Sequence, residues 1–462
     1  MNGFLLVSVL FAAPMAESED ASGHPGTQLV FRSNTEIVAV DLRLTLAGEP
    51  IEPRWRQEVM SLAEHLDRNG DGALSRGEAG FLPGAASVRE WLGGQISPSR
   101  PATNPIDRFD LDQDGLLQPG EVLASYRSQG VSHVDLVWRK NLVVEAANAA
   151  LISILDHDGD GRVNRADLKQ AWQSCSPLDQ NGDGVLEFQE LFPGIHGTRT
   201  ASYQRVGDDD STVAPPSVGV ILGARYAGSD AARVVSFELD PKPQAGRPKK
   251  TILAPRRSLV IQCRTAPGVL PTEFEKFERT ARERFQVLDT DRDQVVTSTE
   301  ADLPHKFDMP ALLRAADLDG DERLSAEELE CWLKVQRAIA ESRVLVEMTA
   351  NQKSLFHALD ENDDLRLSQR ELRSAVARLQ DIGAVSGEFL EISRIADQWS
   401  VTMSRGRVTR LPGPHASSPR WIQAMDTNQD GDISADEFRG PPDLFNQLDR
   451  DGDGLLSPVE AK

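Results

Sequence analysis

A twelve-residue pattern occurs nine times in this chain, and no other feature limits its architecture so tightly. Each copy opens on Asp, carries Asp or Asn at place 3 and Asp at place 5, holds an aliphatic residue at place 8, and closes on an acid at place 12. The copies begin at Asp67 (DRNGDGALSRGE), Asp110 (DLDQDGLLQPGE), Asp156 (DHDGDGRVNRAD), Asp179 (DQNGDGVLEFQE), Asp289 (DTDRDQVVTSTE), Asp317 (DLDGDERLSAEE), Asp360 (DENDDLRLSQRE), Asp426 (DTNQDGDISADE) and Asp449 (DRDGDGLLSPVE), and are loops 1 to 9 in that order. One such match in an acidic chain is an ordinary solvated turn. Nine, each with the acid and the aliphatic residue in place, are a designed set of oxygen-rich turns.

The charge balance points the same way. The 462 residues include 72 Asp and Glu against 50 Lys and Arg, a formal charge of -22. More than half of those acids lie inside the nine loops rather than in runs, so the excess marks defined cation positions. It also argues against nucleic acid or anionic lipid as the main partner. Nine divalent ions would nearly cancel it, and binding should couple to folding, because the bare carboxylates of a loop repel one another.

The repeat resembles the calcium loop of the EF-hand superfamily, and the compact arrangement is similar to that of secreted bacterial multi-EF-hand calcium-binding proteins. The resemblance implies Ca2+ as the ion, with six to eight oxygens around it at about 2.3–2.6 Å. Side-chain ligands at places 1, 3 and 5 are then Asp67, Asn69 and Asp71; Asp110, Asp112 and Asp114; Asp156, Asp158 and Asp160; Asp179, Asn181 and Asp183; Asp289, Asp291 and Asp293. The later loops supply Asp317, Asp319 and Asp321; Asp360, Asn362 and Asp364; Asp426, Asn428 and Asp430; Asp449, Asp451 and Asp453. Place 7 lends a backbone carbonyl, so its identity is free: Ala73, Leu116, Arg162, Val185, Val295, Arg323, Arg366, Asp432 and Leu455. Place 12 closes the shell with Glu78, Glu121, Asp167, Glu190, Glu300, Glu328, Glu371, Glu437 or Glu460.

The copies differ in two ways. Six have Gly at place 6, where the turn favours a positive φ, but loops 5, 6 and 7 have Gln294, Glu322 and Leu365 there. These three are expected to be weaker sites. Loop 3 closes on Asp167, whose shorter side chain is expected to lower calcium affinity and selectivity over Mg2+. Loop 9 ends two residues before the last residue given, so it has no room for an exiting helix and is expected to lean on loop 8.

The expected fold is mainly α, with tandem helix-loop-helix units in compact pairs and small β segments between them. Trp55, Val59, Leu62 and Leu66 form an apolar stripe into loop 1, and another stripe from His133 to Leu155 leads into loop 3. Residues 272–288, 328–350 and 371–382 also read as helical. Only eleven residues separate loops 3 and 4, and likewise loops 8 and 9, and Pro177 and Pro441-Pro442 restrict the helices there. Alternating, β-branched stretches lie at Gln28–Leu46 and within 217–265, and 400–411 reads as a hairpin turning at Arg405-Gly406. The organisation expected along the chain is a signal peptide at 1–18, a β segment at 27–48, hand pairs at 50–130 and 131–195, and a β-rich insert at 196–270. A hand triplet at 271–383, a hairpin at 395–413 and a closing hand pair at 414–462 follow.

The apolar run from Phe4 to Ala13, followed by Ala16-Glu17-Ser18, has the length of a signal-peptide core and is too short to cross a bilayer. Export to the periplasm, cell surface or medium is therefore expected, with calcium ions and another extracellular or envelope protein as partners. No stretch suits a transmembrane span, and Cys175, Cys263 and Cys331 are too few for a disulfide framework. The leading function is calcium binding with a structural, scaffolding or reservoir role. A calcium-responsive sensor or adaptor is the alternative, though such grooves are Met-rich and the chain has seven Met. An enzyme with regulatory hands ranks lower: no nucleophile elbow, metalloprotease, P-loop or dinucleotide motif occurs, and 195–285 is the only stretch able to hold a site.

Overall fold

The computed structural model describes residues 27–32, 37–92, 106, 110, 112–140, 144–193, 204–205, 218–222, 233–239, 250–253, 259–301, 309–351, 353–361, 364–385, 387–408 and 419–460. The segment expected as a signal peptide lies outside the described residues, as do Asn362 of loop 7 and most of the basic stretch 242–257.

Loops 1, 3, 5, 6 and 7 are wedged between helices by hydrogen bonds their own sequence supplies. Place 1 closes the entering helix: the N–H of Asp67 donates to Ala63 O at 3.0 Å, and Asp289 to Phe285 O at 3.0 Å. Place 9 opens the exiting helix. Ser75, Asn164, Ser325 and Ser368 each accept from the place-12 N–H, while the place-12 carboxylate accepts from their own N–H. This reciprocal pair satisfies two otherwise orphaned helix donors. The entering helix Ile51–Leu66 buries Trp55, Val59, Leu62 and Leu66, and Leu270–Leu288 buries Phe274, Phe277, Ala281 and Phe285 at the same spacing. Among the described residues no helix follows loop 9, and Leu455–Leu456 pairs with Ile433–Ser434 of loop 8.

The architecture is mixed rather than mainly α. One sheet joins Thr27–Arg32 and Ile37–Leu46 as an antiparallel pair, extended by Val218–Leu222 on one edge and by Arg233–Glu238 and Glu49–Pro50 on the other. The second has six strands in the order Gln204–Arg205, Val134–Lys140, Val344–Ala350, Asp397–Ser404, Leu259–Ala266, Lys250–Leu253. Their inner faces share one core, in which Phe31 meets Trp399 edge-on at 5.6 Å. Two stretches that read as helical thus contain strands, VDLVWRK and VLVEMTA, short runs rich in β-branched residues in which Val134–Val137 and Val344–Val346 are buried throughout. The hairpin at 400–411 is replaced as well. Asp397–Ser404 pairs parallel with Leu259–Ala266 and antiparallel with Val344–Ala350, and beyond Gly406 it is Val408 that bridges Gly268.

The chain repeats one order of elements: two hands, a strand of the six-stranded sheet, then two further helix-turn units. Val134–Lys140 follows loop 2 and Val344–Ala350 follows loop 6, and the two lie parallel with Val134 opposite Val344. Loops 1, 2, 5 and 6 surround a single core containing Trp55, Trp91 and Trp332, all fully buried. Loops 3, 4 and 7 share a second, and loops 8 and 9 a small third around Ile422, Ile433, Phe445 and Leu456.

Place-8 residues join the loops across short bridges: Leu74 to Leu117, Val296 to Leu324 and Ile433 to Leu456. The expected pair at 131–195 is not joined this way. Leu186 of loop 4 lies opposite Leu367 of loop 7, and loop 3 bridges instead through Asn164 to Phe389. The expected triplet at 271–383 divides accordingly, with loops 5 and 6 in the first core and loop 7 in the second. The eleven-residue spacer does not decide the matter, since loops 8 and 9 share it and do pair.

Candidate metal centre

All nine loops have the same internal wiring. The N–H at place 6 donates to the place-1 carboxylate in every one: Gly72 to Asp67, Gly115 to Asp110 and Gly161 to Asp156 at 2.8 Å, and Gly184 to Asp179 and Gly454 to Asp449 at 2.9 Å. Leu365 to Asp360 is 3.0 Å, and Gln294 to Asp289, Glu322 to Asp317 and Gly431 to Asp426 are 3.1 Å. This bond requires a left-handed residue at place 6. Gln294 (φ 68°), Glu322 (61°) and Leu365 (67°) adopt the turn that the six glycines adopt. Their cost is local strain, about 1–2 kcal/mol for a side chain in this region. Place 4 is left-handed too wherever described, as at Gln113 (63°), Arg292 (61°) and Gln429 (61°), a requirement the ligand pattern does not announce.

Place 5 is oriented by the place-7 N–H, which donates to its Oδ1 in every loop. The donors are Ala73, Leu116, Arg162, Val185, Val295, Arg323, Arg366, Asp432 and Leu455, at 2.8–3.0 Å. At place 3, Asn69, Asn181 and Asn428 turn their amide oxygen to the place-5 N–H at 2.8, 2.9 and 3.0 Å. They do what Asp112, Asp158, Asp291, Asp319 and Asp451 do in other loops, with a neutral oxygen.

Place 12 ties the ends together. Glu78 accepts from Arg68 N at 2.8 Å with one oxygen and from Ser75 N at 2.8 Å with the other. Glu190, Glu300, Glu328, Glu371, Glu437 and Glu460 repeat the arrangement, and Glu121 accepts from Gln118 N. Asp167 makes both bonds with its shorter chain, to Asn164 N at 2.8 Å and His157 N at 3.3 Å.

Among the described residues, three carboxylates converge within 4.8 Å of one another in five loops: Asp110, Asp112 and Glu121; Asp156, Asp158 and Asp167; Asp289, Asp291 and Asp293; Asp317, Asp319 and Glu328; Asp449, Asp451 and Glu460. Three of these five are loops whose turn or closing residue departs from the pattern. Such a cluster fits a hard divalent cation. Its donors are all oxygen, and Oδ1 of Asp289 is shielded from solvent with no hydrogen-bond partner. The electrostatics agree. Burial, then neighbouring carboxylates, push Asp430 up to about 7, and burial raises Asp317 and Asp453 as well. Glu300 goes the other way, down to about 2, because Thr297 and Thr290 donate hydrogen bonds to it.

The loops also touch one another through groups the repeat pattern leaves free. Arg68 of loop 1 donates to Asp317 O of loop 6 at 2.6 Å and lies over the Phe81 ring. Arg366 of loop 7 donates to Asn428 O at 2.9 Å and Gln429 O at 2.8 Å in loop 8. Arg370 pairs with Asp432 at 2.5 Å and lies 3.5 Å from Asp453, and Asn428 donates to Asp183 O at 2.7 Å. These contacts leave no mark in the sequence, because the places that carry the arginines are free in the repeat.

Comparison with known proteins adds the family. A family model described as EF hand matches residues 420–440 and 443–460. The chain is 25% identical over 164 residues to probable calcium-binding protein CML11 of Oryza sativa subsp. japonica, covering 32% of this chain and 70% of that one. It is 27% identical over 152 residues to probable calcium-binding protein CML17 of Arabidopsis thaliana, covering 30% and 86%. It is 26% identical over 152 residues to calcium-dependent protein kinase 4 of Plasmodium falciparum, a match spanning 29% of this chain and only 26% of the kinase. No solved structure matches. Spacing, turn and oxygen set agree with the match at 420–440 and 443–460, and these relatives support calcium binding by the chain.

Proposed function

We propose that the chain is an exported calcium-binding protein whose ions hold its lobes together, acting as a scaffold or calcium reservoir. The observation that carries this reading is the contact between loops. Asn428 with the Asp183 carbonyl and Arg366 with the Asn428 and Gln429 carbonyls tie hands of different cores through loop backbone, and Arg68 with the Asp317 carbonyl ties two hands of the first core. An ion that orders a loop thereby stiffens the joint between lobes. The ligands are the side chains at places 1, 3, 5 and 12 with the place-7 carbonyl, in up to nine loops. Loops closing on Asp167 or lacking the turn glycine also accept Mg2+.

The sensor reading needs an apolar, Met-rich face for a target. Among the described residues the exposed large apolar side chains are Ile37, Met60, Val234, Val287, Leu365, Leu444 and Val459, well separated along the chain and with a single Met. The hands' apolar faces lie in shared cores instead. Export rests on the segment from Phe4 to Ala13 and the small residues after it. No described helix is long and apolar enough to cross a membrane.

Calorimetric calcium titration of the full chain beside circular dichroism tests the structural reading. More than about four sites and a gain of order are expected; fewer sites with no gain sink it. Hydrophobic-dye fluorescence that rises strongly with calcium would favour the sensor. Recovery of a chain starting near Ser18 from the periplasm or medium is the expected result for export, and an intact terminus in the cytosol refutes it.

A further inference from the structure

Loops 3, 4 and 7 are joined crosswise. Val185–Glu187 of loop 4 pairs antiparallel with Arg366–Ser368 of loop 7, Leu186 opposite Leu367, and both leucines are fully buried. The segments behind them are packed together too. Phe188, which leaves loop 4, and Phe192 meet Phe356, which leads into loop 7, at ring distances of 5.6 and 6.2 Å. Loop 3, the neighbour of loop 4 in sequence, turns away. Its Val163 O accepts from Leu390 N at 2.8 Å, and its Arg165 N donates to Glu388 O at 3.1 Å. The segment it meets sets Leu390 opposite Val163, so that Gly383, Val385 and Gly387 stand where a loop would carry acids and Arg394 where it would close. That turn fills the position of a partner hand without the donors for an ion.

We infer that loops 4 and 7, one from each half of the chain, form one cooperative two-ion unit, and that loop 3 binds its ion alone. The inference rests on the reading that these loops bind calcium. The physical route is the shared strand pair. An ion in loop 7 fixes Arg366–Ser368, which orders Val185–Glu187, so the second ion meets a loop already held in place. Loop 3 has no such partner. Filling loops 4 and 7 also clamps the two halves of the chain to each other through the Leu186–Leu367 bridge.

The test uses the full chain labelled with ¹⁵N-glycine and followed by NMR during a calcium titration. Gly184 and Gly161 occupy place 6 of loops 4 and 3 and donate to Asp179 and Asp156, so their amides report each loop separately. In Glu371→Gln, which removes the closing carboxylate of loop 7, the Gly184 midpoint moves to at least about fivefold higher calcium, the lower end of ordinary site coupling. The Gly161 midpoint stays where it was. Because coupling is reciprocal, Glu190→Gln shifts the Leu365 amide of loop 7 by the same factor in a ¹⁵N-leucine sample. A Gly161 shift without a Gly184 shift, or no shift at either, overturns the inference while leaving calcium binding intact. A wild-type Gly184 amide that ignores calcium sinks the calcium reading of loop 4 along with it.

Discussion

At the scale of single residues, Leu365 stands out. It holds a left-handed backbone (φ 67°) with its side chain 48% exposed, so it gains little from burial to offset the strain. Leu365→Gly should stabilise the calcium-free chain by about 1 kcal/mol, the strain relieved less the entropy of a glycine. Urea melts in chelator measure this; an unchanged or lower midpoint would show that the turn is unstrained. His133 gives a pH prediction. Burial, with Arg127 and Arg343 nearby, lowers its pKa to about 3, and Nε2 lies 2.9 Å from Thr27 Oγ1. The unfolded imidazole takes a proton near pH 6.5. The stability it contributes is therefore complete above pH 6.5 and is lost progressively as pH falls toward 3. Between pH 7 and 5, His133→Gln should lose less melting temperature than the wild type, and equal slopes would refute the assignment. The turn of each loop was legible from the sequence, because its hydrogen bonds are local, closing within twelve residues. The strain at Gln294, Glu322 and Leu365 was legible too. The left-handed residue at place 4 was not, since Gln113, Arg292 and Gln429 carry no signal for it.

At the scale of elements, the helices bounding the loops could be read from their stripes and the strands around Thr27–Leu46 from alternation. Val134–Lys140 and Val344–Ala350 were obscured because each directly adjoins helical sequence, and a short apolar run fits either period. The docking of the last two hands was invisible. It depends on Arg370, which reaches Asp432 and Asp453 from the helix that leaves loop 7. Arg370→Met should cost this joint about 1.5 kcal/mol, the low end for hydrogen bonds to a charged group. Hydrogen exchange at Ile433–Ser434 and Leu455–Leu456 should then quicken roughly tenfold. Arg366–Ser368, held by loop 4, should exchange as before. Equal quickening at both places would show a general loss of stability instead.

At the scale of the whole molecule, calcium acts as a ligand of the folded chain. Each site at a hundred times its dissociation constant adds about 2.7 kcal/mol. Chelation should therefore lower the melting temperature and raise exchange in the loops first. The strands Leu259–Ala266 and Val344–Ala350, in the apolar sheet core, should keep their protection. Simultaneous loss of both would show that the sheets depend on the ions. What the sequence determined by itself is the chemistry of each hand: oxygen places, turn, closing acid and capping residues, all within reach of one another along twelve residues. Tertiary structure alone decided which hands are partners. Every loop presents the same signal for pairing, one aliphatic residue at place 8, so Leu186 could as well meet Val163 as Leu367. The choice fell to loop 7 because the segments flanking loops 4 and 7 set Phe188 and Phe192 edge-on against Phe356, a contact between residues far apart in the chain.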